Sequence, residues 1–328
     1  MIRHHRFRFA LAALALAAFG AAQADAQTPT KVKMRLDWKG GAQHAPFYFG
    51  KQKGYYKDEG LDLDIIPGSG SSDTIKQIGS KAVEFGLVDA LVLVQGARQR
   101  VPAKSIAAYY QRTPIVLISP QSKPVTNPRQ LLGDVRIGAK KGSATFQGLV
   151  TLLAANGMTL EQIKFVDIGF DVQPLLVKQV DALMGFSMNQ PAELESAGMA
   201  VTVLPISDYG VNTYGLTLVA NPAFMQQQPE AVKAFLRATL RSVAETTKDP
   251  AGAVAAVAGA VTEIDTKRET TILERTMPYW TSKETETGGF GWQTAERWQG
   301  TIDVARELGL IETALKTEDL FVNTYLSK

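Results

Sequence analysis

The hydrophobic positions near the start of the chain follow two alternating stretches with a different pattern between them. Residues 32–36 alternate apolar and basic side chains, which is the period of a half-buried β-strand. Residues 61–66 alternate in the same way and lie between a glycine and a proline. The segment between them reads as a loop and a short helix that ends at Gly54. This strand–helix–strand unit predicts a parallel pair joined by a right-handed crossover.

Two ring side chains follow the first predicted strand. The strand ends in Asp37 and Trp38, the sequence Lys-Gly-Gly opens a loop, and His44 comes shortly after it. In units of this kind, ligands bind outside the carboxyl ends of the strands. We therefore expect a small-molecule site where Trp38 and His44 lie. The alternative is that both rings are satisfied core residues.

The rest of the pattern predicts an α/β protein with two lobes. Short strands and helices continue to residue 119, and the Pro-rich stretch 120–124 indicates a first crossing between lobes. A second α/β series follows, and residues 209–214 are predicted to return the chain to a strand of the first lobe. The predicted lobes are 27–119 plus 215–328, and 120–214. With a helical C-terminal tail, they form a hinged clamshell that closes on a ligand.

Several residues of the predicted cleft are polar or aromatic. Tyr109 lies near a strand end, where it would line the cleft or pack in the core. Ser143 and Thr145 stand at a helix start, whose exposed amides can receive a polar ligand group. Ser187 and Asn189 follow a strand of the second lobe and could hydrogen-bond a ligand as the site closes.

The N-terminus predicts export. Three arginines precede an Ala- and Leu-rich run at 10–22, and two small-x-small cleavage patterns end at Ala24 and Ala26. We interpret residues 1–26 as a signal peptide, too short to span a membrane, and expect a periplasmic protein. Without those arginines, Lys+Arg falls from 35 to 32 against 32 Asp+Glu. This near-neutral balance gives no electrostatic reason to expect nucleic acid as a partner.

The absence of some residue types excludes several kinds of chemistry. The chain has no cysteine and only three histidines, two of them at positions 4 and 5. A multi-histidine metal site and a cysteine nucleophile are therefore excluded, and a serine–histidine pair could use only His44. We expect neither a catalytic residue nor a cofactor or metal. A hydrolase using His44 remains an alternative.

Three motifs of the N-terminal stretch resemble a known protein family. Residues 36–38 (Leu-Asp-Trp), 44–46 (His-Ala-Pro) and 54–62 (Gly-Tyr-Tyr-Lys-Asp-Glu-Gly-Leu-Asp) are similar to those of periplasmic solute-binding proteins of ABC importers. The branch is the one shared by sulfonate and nitrate receptors and the thiamine-pyrimidine (NMT1-like) proteins, and the resemblance covers about residues 31–250. It implies a type II-like clamshell in which Trp38 stacks on a heteroaromatic ligand and His44 hydrogen-bonds it. It also implies an ABC permease and ATPase as partners of a monomeric receptor.

The same branch contains an enzyme, the thiamine pyrimidine synthase, which uses a lysine to anchor pyridoxal phosphate and a histidine four residues later. The matching positions here are Val88 and Val92, which can supply neither group. Cysteines of the synthase would fall near residues 211–215, where this chain has none. The sequence therefore predicts a receptor, with the synthase as the alternative by similarity.

The ligand is left open by the sequence. Aminopyrimidine binders of this branch carry an acidic residue where this chain has Ser187, which weakens the assignment of a thiamine pyrimidine precursor. A sulfonate, a nitrate-type ligand, a flavin fragment or an aromatic acid is the alternative. A sensor that reports the ligand to a signalling partner is a further one.

Overall fold

The structure is a computed structural model that describes residues 28–307, 309–312 and 314–326. The predicted signal peptide, residues 1–26, lies outside these residues. Of the helices within the described ranges, none is both long and apolar enough to cross a membrane.

Ten strands are present in the described ranges. They are β1 (Thr30–Arg35), β2 (Leu61–Ile66), β3 (Phe85–Asp89), β4 (Lys104–Ala108), β5 (Ile115–Pro120), β6 (Arg136–Ala139), β7 (Lys164–Asp167), β8 (Ala182–Phe186), β9 (Val201–Pro205) and β10 (Leu216–Ala220).

The helices of the same ranges include several of only one turn. They are α1 (Ala45–Gln52), α2 (Tyr55–Asp58), α3 (Ser71–Gly79), α4 (Ala90–Arg98), α5 (Ala144–Ala155), α6 (Gln173–Leu176), α7 (Gln190–Ser196), α8 (Pro222–Gln227), α9 (Pro229–Lys248), α10 (Pro250–Ala258), α11 (Thr266–Thr276), α12 (Lys283–Gly288), α13 (Ala295–Glu307) and α14 (Thr317–Leu320). Short 3₁₀ helices supplement them, among them Ala42–His44 and Met277–Tyr279.

The strands form two five-stranded mixed sheets, one in each lobe. The first sheet has the order β2-β1-β3-β10-β4 and the second the order β7-β6-β8-β5-β9. In each, three neighbouring strands are parallel, and one strand pairs antiparallel with both of its neighbours: β10 in the first sheet and β5 in the second. Helices pack on the sheets, so the predicted two-lobe α/β architecture is confirmed.

The first crossing lies earlier than the sequence predicted. Residues 114–119 were assigned to the first lobe, but β5 pairs with β8 and β9 of the second sheet. The chain therefore leaves the first lobe between β4 and β5, and the prediction that it crosses at 120–124 is wrong. The reason is that a buried apolar strand looks the same in either sheet, and only its pairing partners assign it.

The two crossings run side by side and are joined by two backbone hydrogen bonds. Thr113 N donates to Thr213 O at 3.0 Å, and Gly215 N donates to Tyr110 O at 3.1 Å. A Cβ added to Gly215 would lie 2.7 Å from the carbonyl oxygen of Arg112. Only glycine permits this approach of the two segments, which together form the hinge between the lobes.

Apolar residues fill both faces of each sheet. The central strands β3 and β10 are buried along their whole length, whereas β1 buries only alternate residues. Helix α9 packs an apolar stripe on the first sheet, with Val232, Phe235 and Leu236 all buried. These cores fix the strand ends, and so they fix the positions of the side chains that project from those ends into the cleft.

Candidate functional site

The cleft between the lobes contains a small chamber that both lobes line. We call it the inner chamber; its cavity volume is about 20 Å³, enough for roughly one water molecule. Its lining residues are Asp37, Trp38 and Gln43 from the first lobe, and Thr145, Phe186, Asn189 and Gln190 from the second. All follow the carboxyl ends of strands or begin the helices after them, where α/β proteins bind ligands.

Trp38 is the side chain on which the two lobes meet. It follows β1, is half-buried, and lies with its ring centroid 3.7 Å from that of Phe170 in the second lobe, the planes inclined at 60°. On its inner side the indole lines the chamber. The indole therefore offers an aromatic surface at the boundary between the lobes.

Asp37 places a carboxylate at the wall of the inner chamber. It is 4% exposed, and its Oδ1 lies 3.0 Å from His44 Nε2. Because a carboxylate only accepts hydrogen bonds, the imidazole donates from Nε2. His44 itself is fully buried and does not line the chamber. It stands behind Asp37 and fixes the orientation of that carboxylate.

Gln43 adds a second acceptor beside Asp37. It lies in the 3₁₀ helix Ala42–His44 and is 5% exposed. Its Oε1 is buried and has no hydrogen-bond partner among the described residues. The helix is anchored from outside, since Glu269 Oε2 accepts from Ala42 N at 2.6 Å. A buried acceptor without a partner is costly, and a ligand donor would satisfy it.

The second lobe contributes a third acceptor through a short chain of hydroxyls. Ser143 caps α5, accepting from Phe146 N and donating to the carbonyl oxygen of Lys140 at 2.6 Å. Its proton is thereby used, so Thr145 donates to Ser143 Oγ at 2.8 Å. Thr145 lines the chamber and keeps its oxygen lone pairs free to accept. Ser143 is not among the residues that line the chamber and lies behind Thr145.

The two other second-lobe candidates, Ser187 and Asn189, occupy different positions. Asn189 lines the inner chamber at the start of α7. Ser187 lies beside the chamber, and its Oγ is 2.7 Å from Tyr279 OH of the first lobe. Ser187 therefore joins the lobes directly in this structure.

Tyr109 is packed behind the cleft rather than in it. It is fully buried and donates from its hydroxyl to Gln43 O at 2.8 Å. Its ring contacts Phe47, Trp280 and Phe290, and burial raises the pKa of its hydroxyl well above the usual range. Tyr109 thus supports the segment that carries Gln43.

A larger space, the outer chamber, continues from the inner one toward the solvent. Its cavity volume is about 340 Å³, and it shares Trp38, Gln43, Asn189 and Gln190 with the inner chamber. Five charged side chains line the outer chamber and not the inner one. They are Lys39, Glu193, Glu263, Arg268 and Glu269.

Three of the seven residues of the inner chamber were predicted from the sequence: Trp38, Thr145 and Asn189. The other four, Asp37, Gln43, Phe186 and Gln190, were not predicted as site residues. Asp37 and Gln43 each lie next to a residue that was named, and Gln190 follows Asn189. A signal was thus present in the neighbouring positions. Which of two neighbours faces the chamber depends on the backbone path of the loop.

Known proteins resemble this chain along most of its length. The riboflavin-binding protein RibY of Chloroflexus aurantiacus is 26% identical, covering 90% of this chain and 86% of that protein. The formylaminopyrimidine-binding protein of Halalkalibacterium halodurans is 27% identical, covering 88% and 89%. A 4-amino-5-hydroxymethyl-2-methylpyrimidine phosphate synthase of Legionella pneumophila is 28% identical, covering 76% and 79%.

Solved structures share the fold at lower identity. The alkanesulfonate-binding protein SsuA of Xanthomonas axonopodis pv. citri has a TM-score of 0.70 at 13% identity, covering 90% of this chain and 98% of that one. The periplasmic nitrate-binding protein NrtA of Synechocystis PCC 6803 has a TM-score of 0.70 at 12% identity, covering 90% and 87%. The architecture is that of periplasmic binding proteins.

A family model described as NMT1/THI5 like matches residues 41–253. These are 213 of the 328 residues, and they include about half of the first lobe and all of the second. The match begins at the loop that carries Gln43 and His44. The chain belongs to the NMT1/THI5-like family, as its N-terminal motifs indicated.

Proposed function

We propose that this protein is an exported receptor that closes its two lobes over a small, flat heteroaromatic compound and delivers it to an ABC permease. The observation that carries the proposal is the inner chamber, where the Trp38 ring and buried acceptors from both lobes line one space, which separation of the lobes would enlarge. Two relatives with the same extent are named as binding proteins for ring compounds, a flavin and a formylaminopyrimidine.

The polar groups of the chamber favour a ligand that donates hydrogen bonds. Asp37, Gln43 Oε1 and Thr145 Oγ1 all present acceptors, and Asp37 carries a negative charge when ionised. A sulfonate or a nitrate also presents only acceptors, so these groups would repel it. A heteroaromatic ring with N–H or amino groups complements them, with its faces against Trp38 and Phe186. Asp37 thus supplies a carboxylate to the inner chamber, whereas the residue at position 187, where an acidic side chain was considered, is a serine.

The roles of the remaining candidates follow from their positions. His44 and Tyr109 hold Asp37 and the Gln43 segment in place. Ser143 orients Thr145, and Ser187 stabilises the closed state through Tyr279. Asn189 contacts the ligand from the second lobe. The mechanism is capture, lobe closure and docking of the closed form on the membrane subunits.

The enzyme alternative is the synthase activity named for several relatives. Val88 and Val92, at the positions of its lysine and histidine, are buried in an apolar cluster of the first lobe. Neither side chain lines the inner chamber. This arrangement supports a receptor that leaves its ligand unchanged.

A ligand screen combined with product analysis tests the proposal. Purified protein is mixed with riboflavin, lumichrome, aminopyrimidines, alkanesulfonates and nitrate, and its melting temperature is measured. We expect a ring compound to raise the melting temperature, and mass spectrometry to return that compound unaltered. Stabilisation by sulfonate or nitrate alone, or formation of a pyrimidine product from pyridoxal phosphate, would reject the proposal.

A further inference from the structure

A segment near the C-terminus, residues 279–297, contacts both crossings between the lobes. We call it the hinge strap. It is fixed to the first lobe, because Trp280 is buried in the core that contains β1 and Phe290 packs against that core. In addition, Gly291 O accepts from Ala108 N of β4 at 2.9 Å. The hinge strap therefore connects the crossings to the rigid part of the first lobe.

Gln111 is the residue by which the hinge strap holds the first crossing. It is 1% exposed, so its polar groups require partners within the protein. Its backbone N donates to Tyr279 O at 2.7 Å, and its backbone O accepts from Arg297 Nη2 at 2.6 Å. Its side-chain Oε1 accepts from Ser282 Oγ at 3.1 Å, and its Nε2 donates to Trp292 O at 3.3 Å. All four polar groups of Gln111 thus bind the hinge strap.

Tyr214 is the corresponding residue of the return crossing. Its side chain is fully buried, and its hydroxyl accepts from Thr294 N at 3.1 Å. The guanidinium of Arg297 lies 4.9 Å from the centre of the Tyr214 ring, within the range of a cation–π contact. Glu284, also in the hinge strap, lies 3.6 Å from the same guanidinium. Arg297 therefore contacts both crossings, through the ring of Tyr214 and the backbone of Gln111.

The positions of these bonds leave short segments that can bend. On the side of the second lobe, Pro114 O accepts from Ser187 N at 2.9 Å, and Val211 is buried in the core of that lobe. Among the described residues of the crossings, 112–113 and 212–213 lie between these points and the residues that the hinge strap holds. Hinge rotation is absorbed by a few residues of this kind, which change their φ and ψ angles.

We propose that the hinge strap fixes the pivot of lobe closure. By holding Gln111 and Tyr214 on the first lobe, it confines the bending to residues 112–113 and 212–213. Gln111 and Arg297 are then positioning residues, which act on a ligand only through the direction in which the lobes close. Without the hinge strap, bending spreads along both crossings and the lobes sample a wider range of orientations.

Hydrogen exchange of the ligand-free protein tests this proposal. R297A removes the donor to the backbone oxygen of Gln111 and the cation over the ring of the return crossing. We expect the amides of Gln111, Thr113 and Gly215 to exchange about tenfold faster, because a hydrogen bond to a charged group changes a local opening equilibrium by about that factor. The amides of β8, in the core of the second lobe, should keep their rates.

Arg241 provides the matched control. It also pairs with a carboxylate, at 2.9 Å from Asp58, and its guanidinium also lies over a tyrosine ring, 3.9 Å from the centre of Tyr55. These contacts join α2 to α9 within the first lobe. R241A should therefore leave the amides of the crossings unchanged. Q111M is a second test variant, since methionine has a similar volume but forms neither of the side-chain hydrogen bonds of Gln111; it should accelerate the same amides.

A distance measurement between the lobes completes the test. The chain has no cysteine, so K267C and Q179C, at exposed positions of the first and second lobes, can carry two spin labels. We expect the distribution of label distances in the ligand-free protein to become broader in R297A and Q111M and to stay unchanged in R241A.

Several results would overturn the proposal. They are unchanged exchange in R297A and Q111M, equal acceleration in the crossings and in β8, and faster exchange without a broader distribution of distances. The first would show that the hinge strap does not restrain the crossings, the second that it contributes only to general stability, and the third that it does not direct closure. Because no ligand is used, each result leaves the proposed function to be tested separately by the ligand screen.

Discussion

Asp37 and His44 form a hydrogen-bonded pair of which only Asp37 lines the inner chamber. Asp37 faces the inner chamber, and His44 lies behind it with Nε2 at 3.0 Å from the carboxylate. A donor held in this way fixes a carboxylate in one orientation, which is what a site needs to recognise an amino group or a ring N–H. The ligand therefore meets the carboxylate, and the imidazole acts through it.

Replacing that carboxylate tests its role. D37N keeps the shape of the side chain and the bond from His44, but it removes the charge and turns one acceptor into a donor. We expect the affinity for a ring ligand with an amino or N–H group to fall about 10- to 100-fold, because hydrogen bonds to charged groups contribute about 1.5–3 kcal/mol. Calorimetry measures it. D64N, at an exposed position of β2, is the control and should bind like the unaltered protein. An affinity of D37N equal to that of the unaltered protein would contradict a role for Asp37 in binding.

Asp89 is a buried acid that affects stability rather than binding. It is 2% exposed and caps α4 by accepting from Leu91 N at 3.0 Å. Burial raises its pKa from 3.8 to about 7, with a smaller contribution from the charge of Asp37. The folded protein therefore retains a proton between about pH 4 and pH 7 that the unfolded chain releases.

The raised pKa of Asp89 makes the free energy of unfolding depend on pH. Because the folded pKa is the higher one, this group stabilises the fold at low pH, and that stabilisation is lost as the pH rises to about 7. D89N keeps the cap and cannot titrate. We expect the free energy of unfolding of the unaltered protein to fall by about 2–4 kcal/mol more than that of D89N between pH 4 and pH 7. Urea denaturation measures both, and parallel pH profiles would contradict the argument.

At the scale of elements, the hinge depends on two segments that run unusually close together. Gly215 follows the return crossing and faces the backbone of Arg112 and the ring of Pro114. G215A would place a Cβ at 2.7 Å and 2.9 Å from these atoms, so the segments must separate. We expect a loss of about 1–3 kcal/mol in the free energy of unfolding.

A second glycine gives the matched control for that change. Gly300 lies inside α13, and a Cβ there would meet nothing within 4 Å. G300A should therefore stabilise the protein by about 0.5–1 kcal/mol, because alanine is the better helix former. Urea denaturation measures both variants. Equal effects of G215A and G300A would show that the hinge tolerates the added methyl group.

The elements also show how far the sequence could predict the molecule. Alternation and helix-end signals predicted β1, β2, α5 and most other elements, because both depend on neighbouring residues. The pairing of β5 with β8 and β9 was missed, since it joins segments far apart in the chain. The contact between Trp38 and Phe170 could not be predicted for the same reason. The site lies between lobes, so half of it depends on contacts that no local pattern encodes.

At the scale of the whole molecule, side chains of one lobe bind side chains of the other. Gln95 Nε2 donates to Gln147 Oε1 at 2.8 Å, from α4 to α5. On the side of α11, Arg275 donates to Glu195 Oε2 of α7 at 2.8 Å. We expect the Arg275–Glu195 pair to break when the lobes separate, in which case it stabilises the closed state relative to the open one.

The ion pair can be tested by a double-mutant cycle. R275A and E195A should each weaken ligand binding about two- to fivefold, because exposed ion pairs contribute at most about 1 kcal/mol, and the double variant should be no weaker than either. R241A is the control, since Arg241 pairs with Asp58 at 2.9 Å within the first lobe. If the losses of binding free energy caused by R275A and E195A add up in the double variant, the ion pair does not act in closure.

The central claim is that a ring ligand binds between the lobes against Trp38. Calorimetric titration of the unaltered protein, W38F and W38A with riboflavin and an aminopyrimidine tests it most directly. We expect at least one compound to bind the unaltered protein, W38F to keep most of that affinity, and W38A to lose about tenfold or more, as removal of an aromatic stacking surface predicts. Equal affinities for all three proteins, or no binding of either compound, would contradict the account.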